Sequence, residues 1–93
     1  MKLSVIIVSY NVMYYLEQCL RSLFKSVSNE ISMEVYVVDN ASSDGSVEHL
    51  QHHFPQTDYP ELHIIANSRN VGFGRANNQA VKKAKGEYIL FLN

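Results

Sequence analysis

Four short apolar runs alternate with three stretches whose apolar residues recur at helical spacing, and this alternation limits the fold more than any other feature. Leu3–Ser9 (LSVIIVS) is β-branched and almost wholly apolar, the pattern of a strand covered on both faces. From about Val12 to Phe24 the period changes. Leu16, Cys19, Leu20, Leu23 and Phe24 fall at i, i+3, i+4, i+7 and i+8, one face of a helix, with Asn11 as its expected N-cap. Glu34–Asp39 (EVYVVD) reads as a second buried strand. Val47, Leu50 and Phe54 mark a shorter helix that Pro55 stops, with Ser42 or Ser43 as its expected N-cap. After a loop from Pro55 to Pro60 come a third strand, Leu62–Ala66 (LHIIA), and a third helical stripe: Phe73, Ala76, Ala80, Val81 and Ala84. Gly86 is its expected C-cap, and Tyr88–Leu92 (YILFL) is a fourth strand.

The order β-α-β-α-β-α-β implies right-handed crossovers and a parallel sheet. The expected fold is α/β, a three-layer, Rossmann-like arrangement of four mostly parallel strands alternating with three helices. At 93 residues, 46% of them hydrophobic, the chain is one small domain or a piece of a larger one, with a real core but marginal stability. Eight basic and nine acidic residues give a net charge of −1, which excludes the electrostatic footprint of a nucleic-acid binder. The single cysteine, Cys19, has no partner for an internal disulfide and reads as core. The apolar run after Met1-Lys2 is too short for a signal core or a membrane span, which leaves peripheral membrane contact open.

In such sheets, ligands sit beyond the carboxyl ends of the strands, near a switch in strand order. Here those ends are Ser9-Tyr10-Asn11, Asp39-Asn40-Ala41-Ser42, Asn67 through Gly74, and Asn93, all polar and mostly rich in asparagine. The amino ends (Met1-Lys2, Ser32-Met33, Glu61, Glu87) show no comparable enrichment. Asp39 stands at the lip of the sheet, where its carboxylate can accept from a ring N–H or a ribose hydroxyl; the competing reading is an ordinary turn aspartate. If a serine caps the next helix, Asp39 has no structural task. Asp44 is explained by the macrodipole at a helix start.

In "NSRNVGFGRANN" (residues 67–78), Gly72 and Gly74 permit positive φ or close backbone approach. Gly72-Phe73-Gly74 begins a dinucleotide fingerprint that Asn77 fails to complete, and it follows the third strand rather than the first. Asn77 sits on the apolar face and is expected to bond to a neighbouring turn and lock the loops together. Arg75 either faces a diphosphate or is solvated. His49, His52 and His53 fall at i, i+3 and i+4, so His49 and His53 share a helix face able to chelate a metal. With no third ligand evident from another segment, a solvated face is the reading taken. Tyr14 and Tyr15 are expected at the core edge. Neither G-x-x-x-x-G-K-[ST] nor G-x-S-x-G occurs.

The ordered set "SVIIVSYN", "CLRSL", "EVYVVDNASSDGS" and "NVGFGRANNQAVKKAKGEYILFLN" resembles the amino-terminal half of the family 2 inverting glycosyltransferases. The similarity covers nearly the whole chain. The variant "VDNASSDGS" with "GFG" and "FLN" looks most like the rhamnosyltransferase-like branch, which builds bacterial surface polysaccharides. The resemblance implies a GT-A fold whose nucleotide-sugar pocket is bordered by Ser9, Tyr10 and Asn11. It implies that Asp39, with Asn40 beside it, contacts the base or ribose, that Asn70 and Gly72 border the base, and that Arg75 approaches the diphosphate. Asn93 would stand at the first position of the metal-binding D-x-D equivalent, often N-P-D in this branch. The implied donor is a dTDP- or UDP-linked sugar, and the acceptor is a glycan or lipid-linked glycan. The implied location is cytoplasmic, with peripheral attachment at the inner face of the membrane open.

The family's reaction is direct displacement at the anomeric carbon, with a base on the acceptor hydroxyl and Mg²⁺ or Mn²⁺ offsetting charge on the leaving diphosphate. Base and metal carboxylate are expected beyond residue 93. Residues 1–93 then form a nucleotide-sugar-binding part truncated at the D-x-D-equivalent position, inactive alone and without a tightly held metal. An exposed Tyr88–Leu92 edge is expected to drive dimerisation. Two alternatives differ in class. A sugar nucleotidyltransferase would want a glycine- and arginine-rich turn where Ser9-Tyr10-Asn11 stands. A non-catalytic binding or interaction module would answer to no nucleotide.

Overall fold

The computed structural model describes residues 2–26 and 31–92. Its elements are β1 (Lys2–Ser9), α1 (Met13–Lys25), β2 (Ser32–Asp39), α2 (Ser46–His53), β3 (Leu62–Ala66), α3 (Phe73–Val81) and β4 (Tyr88–Leu92). All seven expected elements are present. The strands form one sheet in the order β3-β2-β1-β4, and every neighbouring pair is parallel. The chain steps from β1 outward to β3, then returns past β1 to add β4. The switch in strand order therefore lies between β1 and β4.

Alternation along the strands sorts side chains to two faces. Val5, Ile7, Val35 and Val37 pack with Leu16 and Leu20 of α1 and with Leu50 and Phe54 around α2. Ile6, Tyr36 and Val38 pack with Ala76 and Ala80 of α3. Small alanines let α3 lie close to the sheet. Cys19, Leu23 and Phe24 complete the α1 stripe as expected, and burial pushes the Cys19 thiol pKa up. Tyr14 and Tyr15 depart from expectation: both are exposed, because they lie on the flank of α1 away from the sheet.

The caps also differ from those the sequence suggested. Val12, not Asn11, occupies the N-cap of α1, and no side chain of its own caps that helix. Asn11 has φ of 53°, and its side chain reaches across to the β2–α2 turn. Gly45, with φ of 81°, occupies the N-cap of α2 in place of Ser42 or Ser43. Helix α3 ends at Val81 with Lys82 as C-cap, so Gly86 caps nothing. Gly86 instead lies against β1. A Cβ there would come 2.6 Å from Ser4 Oγ and 3.0 Å from the Leu3 carbonyl carbon, a close approach only glycine permits.

Strand β4 is paired with β1 along one side only. Tyr88, Ile89, Leu90 and Phe91 are all exposed, while Leu92 reaches the core.

Candidate functional site

The β1–β2 register sets Ser9 beside Asp39 at the carboxyl edge of the sheet. Asp39 is 3% exposed, and both of its oxygens are hydrogen-bonded. Its Oδ1 accepts from the Ser9 hydroxyl at 3.2 Å and the Ser42 hydroxyl at 2.5 Å, and its Oδ2 accepts from the Ser42 N–H at 2.9 Å. The expectation that Asp39 has no structural task is therefore wrong. A buried carboxylate needs donors, and the serines of its own turn supply them. Ser42 Oγ in turn accepts from the Asn11 N–H at 2.9 Å, and the Ser43 N–H donates to Asn11 Oδ1 at 2.8 Å. Asn11, Ser9, Ser42 and Asp39 thus form one network joining the first two turns.

Asp44 adds a second tie. It precedes α2 rather than lying in its first turn. Its Oδ2 accepts from the Met13 N–H at 3.1 Å and its Oδ1 from the Ser46 N–H at 3.0 Å. One carboxylate thereby serves the amino ends of both α1 and α2, where the helix dipoles favour negative charge. Hydrogen bonding, the Ser46 hydroxyl foremost, holds its pKa below the usual carboxylate value.

The third turn joins through Asn40, which is also 3% exposed. Its N–H continues the ladder to the Ser9 carbonyl at 2.9 Å. Its Oδ1 accepts from Asn67 Nδ2 at 3.1 Å and the Val71 N–H at 3.4 Å, while its Nδ2 donates to the Gly72 carbonyl at 3.4 Å. Asn67 and Gln79 bond reciprocally at 2.9 and 3.0 Å. The loop-locking amide expected of Asn77 is thus supplied by Asn40, Asn67 and Gln79. Asn77 is half-buried and makes none of these bonds among the described residues. The alternation of strand and turn could have singled out Asn67, the first residue after β3; nothing local singled out Gln79.

Tyr10, Asn11, Asn70, Gly72 and Arg75 are exposed around this edge. The Asn70 side chain accepts from the Gly72 N–H at 2.9 Å, and Gly72 has φ of 89°, a conformation that favours glycine. Arg75 lines a groove of about 330 Å³ with Arg69, Val71 and Gln79, apart from Ser9 and Asp39. Asn93 lies outside the described residues. The described end of β4 offers only apolar side chains, and the Asp39 oxygens are hydrogen-bonded to serines. The residues described at this edge therefore do not by themselves fit Mg²⁺ or Mn²⁺, which want several free oxygen ligands.

A second polar network, which the sequence did not suggest, lies at the amino edge. Glu34 is 2% exposed. Its Oε2 accepts from the Ser4 hydroxyl and the Lys85 N–H, each at 2.6 Å, and Ser4 Oγ accepts from the Gly86 N–H at 2.8 Å. The Tyr36 hydroxyl lies 3.2 Å from Glu34 Oε1 and 2.9 Å from the Lys83 carbonyl. Burial would push the Glu34 pKa up, but the Lys85, Ser4 and Tyr36 hydrogen bonds, with the charge of Lys2, together hold it below the usual value. This cluster closes the α3–β4 connection onto β1.

A sequence model of glycosyl transferase family 2 matches residues 4–93. The poly(ribitol-phosphate) beta-glucosyltransferase of Bacillus spizizenii is 35% identical over 94 aligned positions, which take in 100% of this chain and 14% of that protein. The structure of Staphylococcus aureus TarS residues 1–349 with UDP-GlcNAc superposes with a TM-score of 0.80 at 33% identity, covering 99% of this chain and 26% of that one. The mannosyltransferase PcManGT of Pyrobaculum calidifontis, in complex with GDP-Man and Mn²⁺, gives a TM-score of 0.81 at 27% identity over 94% of this chain and 25% of that one. The chain thus spans between about a seventh and about a quarter of the length of these proteins. No helix among the described residues is long and apolar enough to cross a membrane. With the parallel sheet, the polar carboxyl edge and these matches in hand, the chain belongs to glycosyl transferase family 2.

Proposed function

We propose that this chain is the donor-binding part of an inverting glycosyltransferase that uses a nucleotide-diphospho-sugar to build bacterial surface polysaccharide. One observation carries the reading: three successive turns are bonded into a single polar rim at the carboxyl edge of a parallel sheet, beside the β1–β4 switch. Ser9, Asp39 and Asn40 are the pre-set buried part of that rim. Tyr10, Asn11, Asn70 and Gly72 are its exposed part, and Arg75 serves the diphosphate. Asp39 Oδ2 accepts only the Ser42 N–H, so it keeps a lone pair for a base or ribose donor while the serines hold the turn.

The acceptor site, catalytic base and Mg²⁺ or Mn²⁺ ligands belong, in this proposal, to the longer protein, with Asn93 at the start of the metal motif. The chain alone transfers no sugar. The motif variant "VDNASSDGS" supports a rhamnosyltransferase-like donor, whereas the similar proteins named above include a glucosyltransferase and TarS, solved with UDP-GlcNAc. The test therefore spans dTDP, UDP and GDP, with NAD as control, read by thermal unfolding of the chain. Stabilisation by a nucleoside diphosphate but not NAD, lost in Asp39→Ala, is the expected result. No response to any nucleotide overturns the proposal in favour of an interaction module. The exposed β4 edge supports self-association through residues 88–92, which sedimentation tests: a strictly monomeric species at high concentration refutes it.

A further inference from the structure

Helix α2 presents His49 and His53 one turn apart, and α1 brings Glu17 against them. His49 Nε2 is hydrogen-bonded to Glu17 Oε1. The His49 and His53 ring centroids are 4.2 Å apart. One ligand atom from each of the three residues lies within 4.8 Å of those from the other two. Arg21 Nε holds Glu17 Oε2 at 3.0 Å, which fixes the carboxylate and turns Oε1 toward the histidines. Arg21 is itself held over the Phe54 ring at 5.1 Å. The third ligand that the sequence did not reveal thus comes from a residue 32 positions away from His49.

We propose that Glu17, His49 and His53 form a binding site for a divalent transition-metal ion, with Zn²⁺ as the best match. Two imidazole nitrogens and one carboxylate oxygen suit zinc, nickel or copper; magnesium and calcium prefer all-oxygen sites. Zinc–ligand distances of about 2.0–2.2 Å place tetrahedral ligands about 3.3–3.5 Å apart. Small side-chain rotations bring the three atoms to that spacing, and His53 is exposed and free to make one. The ion takes the place of the Glu17–His49 hydrogen bond and leaves a coordination position for water or a small anion. Its effect is a clamp. Asp44 already ties the starts of α1 and α2 together, and the metal ties them again along their outer faces. The site shares no residue with the nucleotide rim, so its test is independent of the function proposed above.

The experiment titrates the chain with zinc sulfate, following heat by calorimetry and melting temperature by circular dichroism, with EDTA reversal. One ion per chain is expected, with a rise in melting temperature that EDTA removes. His53→Ala and Glu17→Gln are each expected to weaken zinc binding by about tenfold or more, while His52→Ala leaves it unchanged. Because His53 is exposed, its variant keeps the metal-free melting temperature. Co²⁺ is expected to give the visible absorption of a tetrahedral site in the wild type and to lose it in His53→Ala. No zinc-dependent stabilisation overturns the proposal. So does stabilisation undiminished in both His53→Ala and Glu17→Gln, which would put the ion elsewhere, including the Glu34, Glu61 and His63 group.

Discussion

Strands β1 and β2 carry two serine–carboxylate pairs in register, Ser4 with Glu34 near the amino edge and Ser9 with Asp39 at the carboxyl edge. The pairs look alike but are built differently. By strand parity, the first faces α3 and the second faces α1 and α2. Glu34 takes donors from the far end of the chain, at Lys85, and fastens β4 to the rest. Asp39 takes donors only from its own turn and its neighbouring strand. The first pair closes the fold over a long sequence separation. The second shapes a turn at the open edge and lies at the rim where a ligand is expected.

The sharpest way to break this contrast is to remove each carboxylate. Glu34→Ala strands the Ser4 hydroxyl and the Lys85 N–H, leaves the Tyr36 hydroxyl to the Lys83 carbonyl alone, and is expected to cost about 3 kcal/mol of unfolding free energy. Asp39→Ala leaves the buried Ser9 hydroxyl and the hydroxyl and N–H of the half-buried Ser42 without that partner, with an expected cost of about 1–2 kcal/mol. Denaturant melts of both variants measure the difference. Equal losses would mean that Asp39 is as structural as Glu34.

The glycines near each pair sharpen the same point. Gly86→Ala drives a methyl into Ser4 and the β1 backbone, and an overpacking cost of about 1–3 kcal/mol is expected. At Gly72 a Cβ would meet open space, so Gly72→Ala is opposed only by its φ of 89°, with an expected cost of about 1 kcal/mol. Thermal melts rank the two.

The smallest effect is in the pH dependence. The Glu34 pKa is lowered on folding, so its contribution to stability is present above the ordinary value of 4.5 and is lost as pH falls through the folded value. Glu34→Gln is therefore expected to flatten the wild-type loss of stability below about pH 4.5, read from melts across pH 3–7. An unchanged slope would assign that loss to other carboxylates, with Glu17 and Asp44 the first to test.

Much of the fold was legible because it rests on local periodicity. A β-branched run must be covered, and a stripe at helical spacing must face something; the strands and the α1 stripe follow from that. The location of the candidate site was legible for the same reason, since alternating strands and helices put every odd-numbered connection at one edge. Caps were harder. Asn11 has the right residue type for an N-cap, but its side chain bonds better to a turn 32 residues away. Gly86 stands where a C-cap glycine belongs, yet what it answers to is Ser4, 82 residues earlier.

The amino-acid sequence by itself determined the element order, the parallel sheet, the apolar stripes and the polar carboxyl edge, because each depends on residues a few positions apart. Only the tertiary structure decided which polar groups satisfy one another: Asp39 with Ser9 and Ser42, Asn40 with Asn67 and Gly72, Glu34 with Lys85, and Glu17 with His49. A hydrogen bond between distant segments depends on register and on the packing of whole elements, and no local pattern encodes it. Burial makes the pairings of Asp39, Asn40 and Glu34 obligatory, because a polar group removed from water without a partner costs more than most single contacts return.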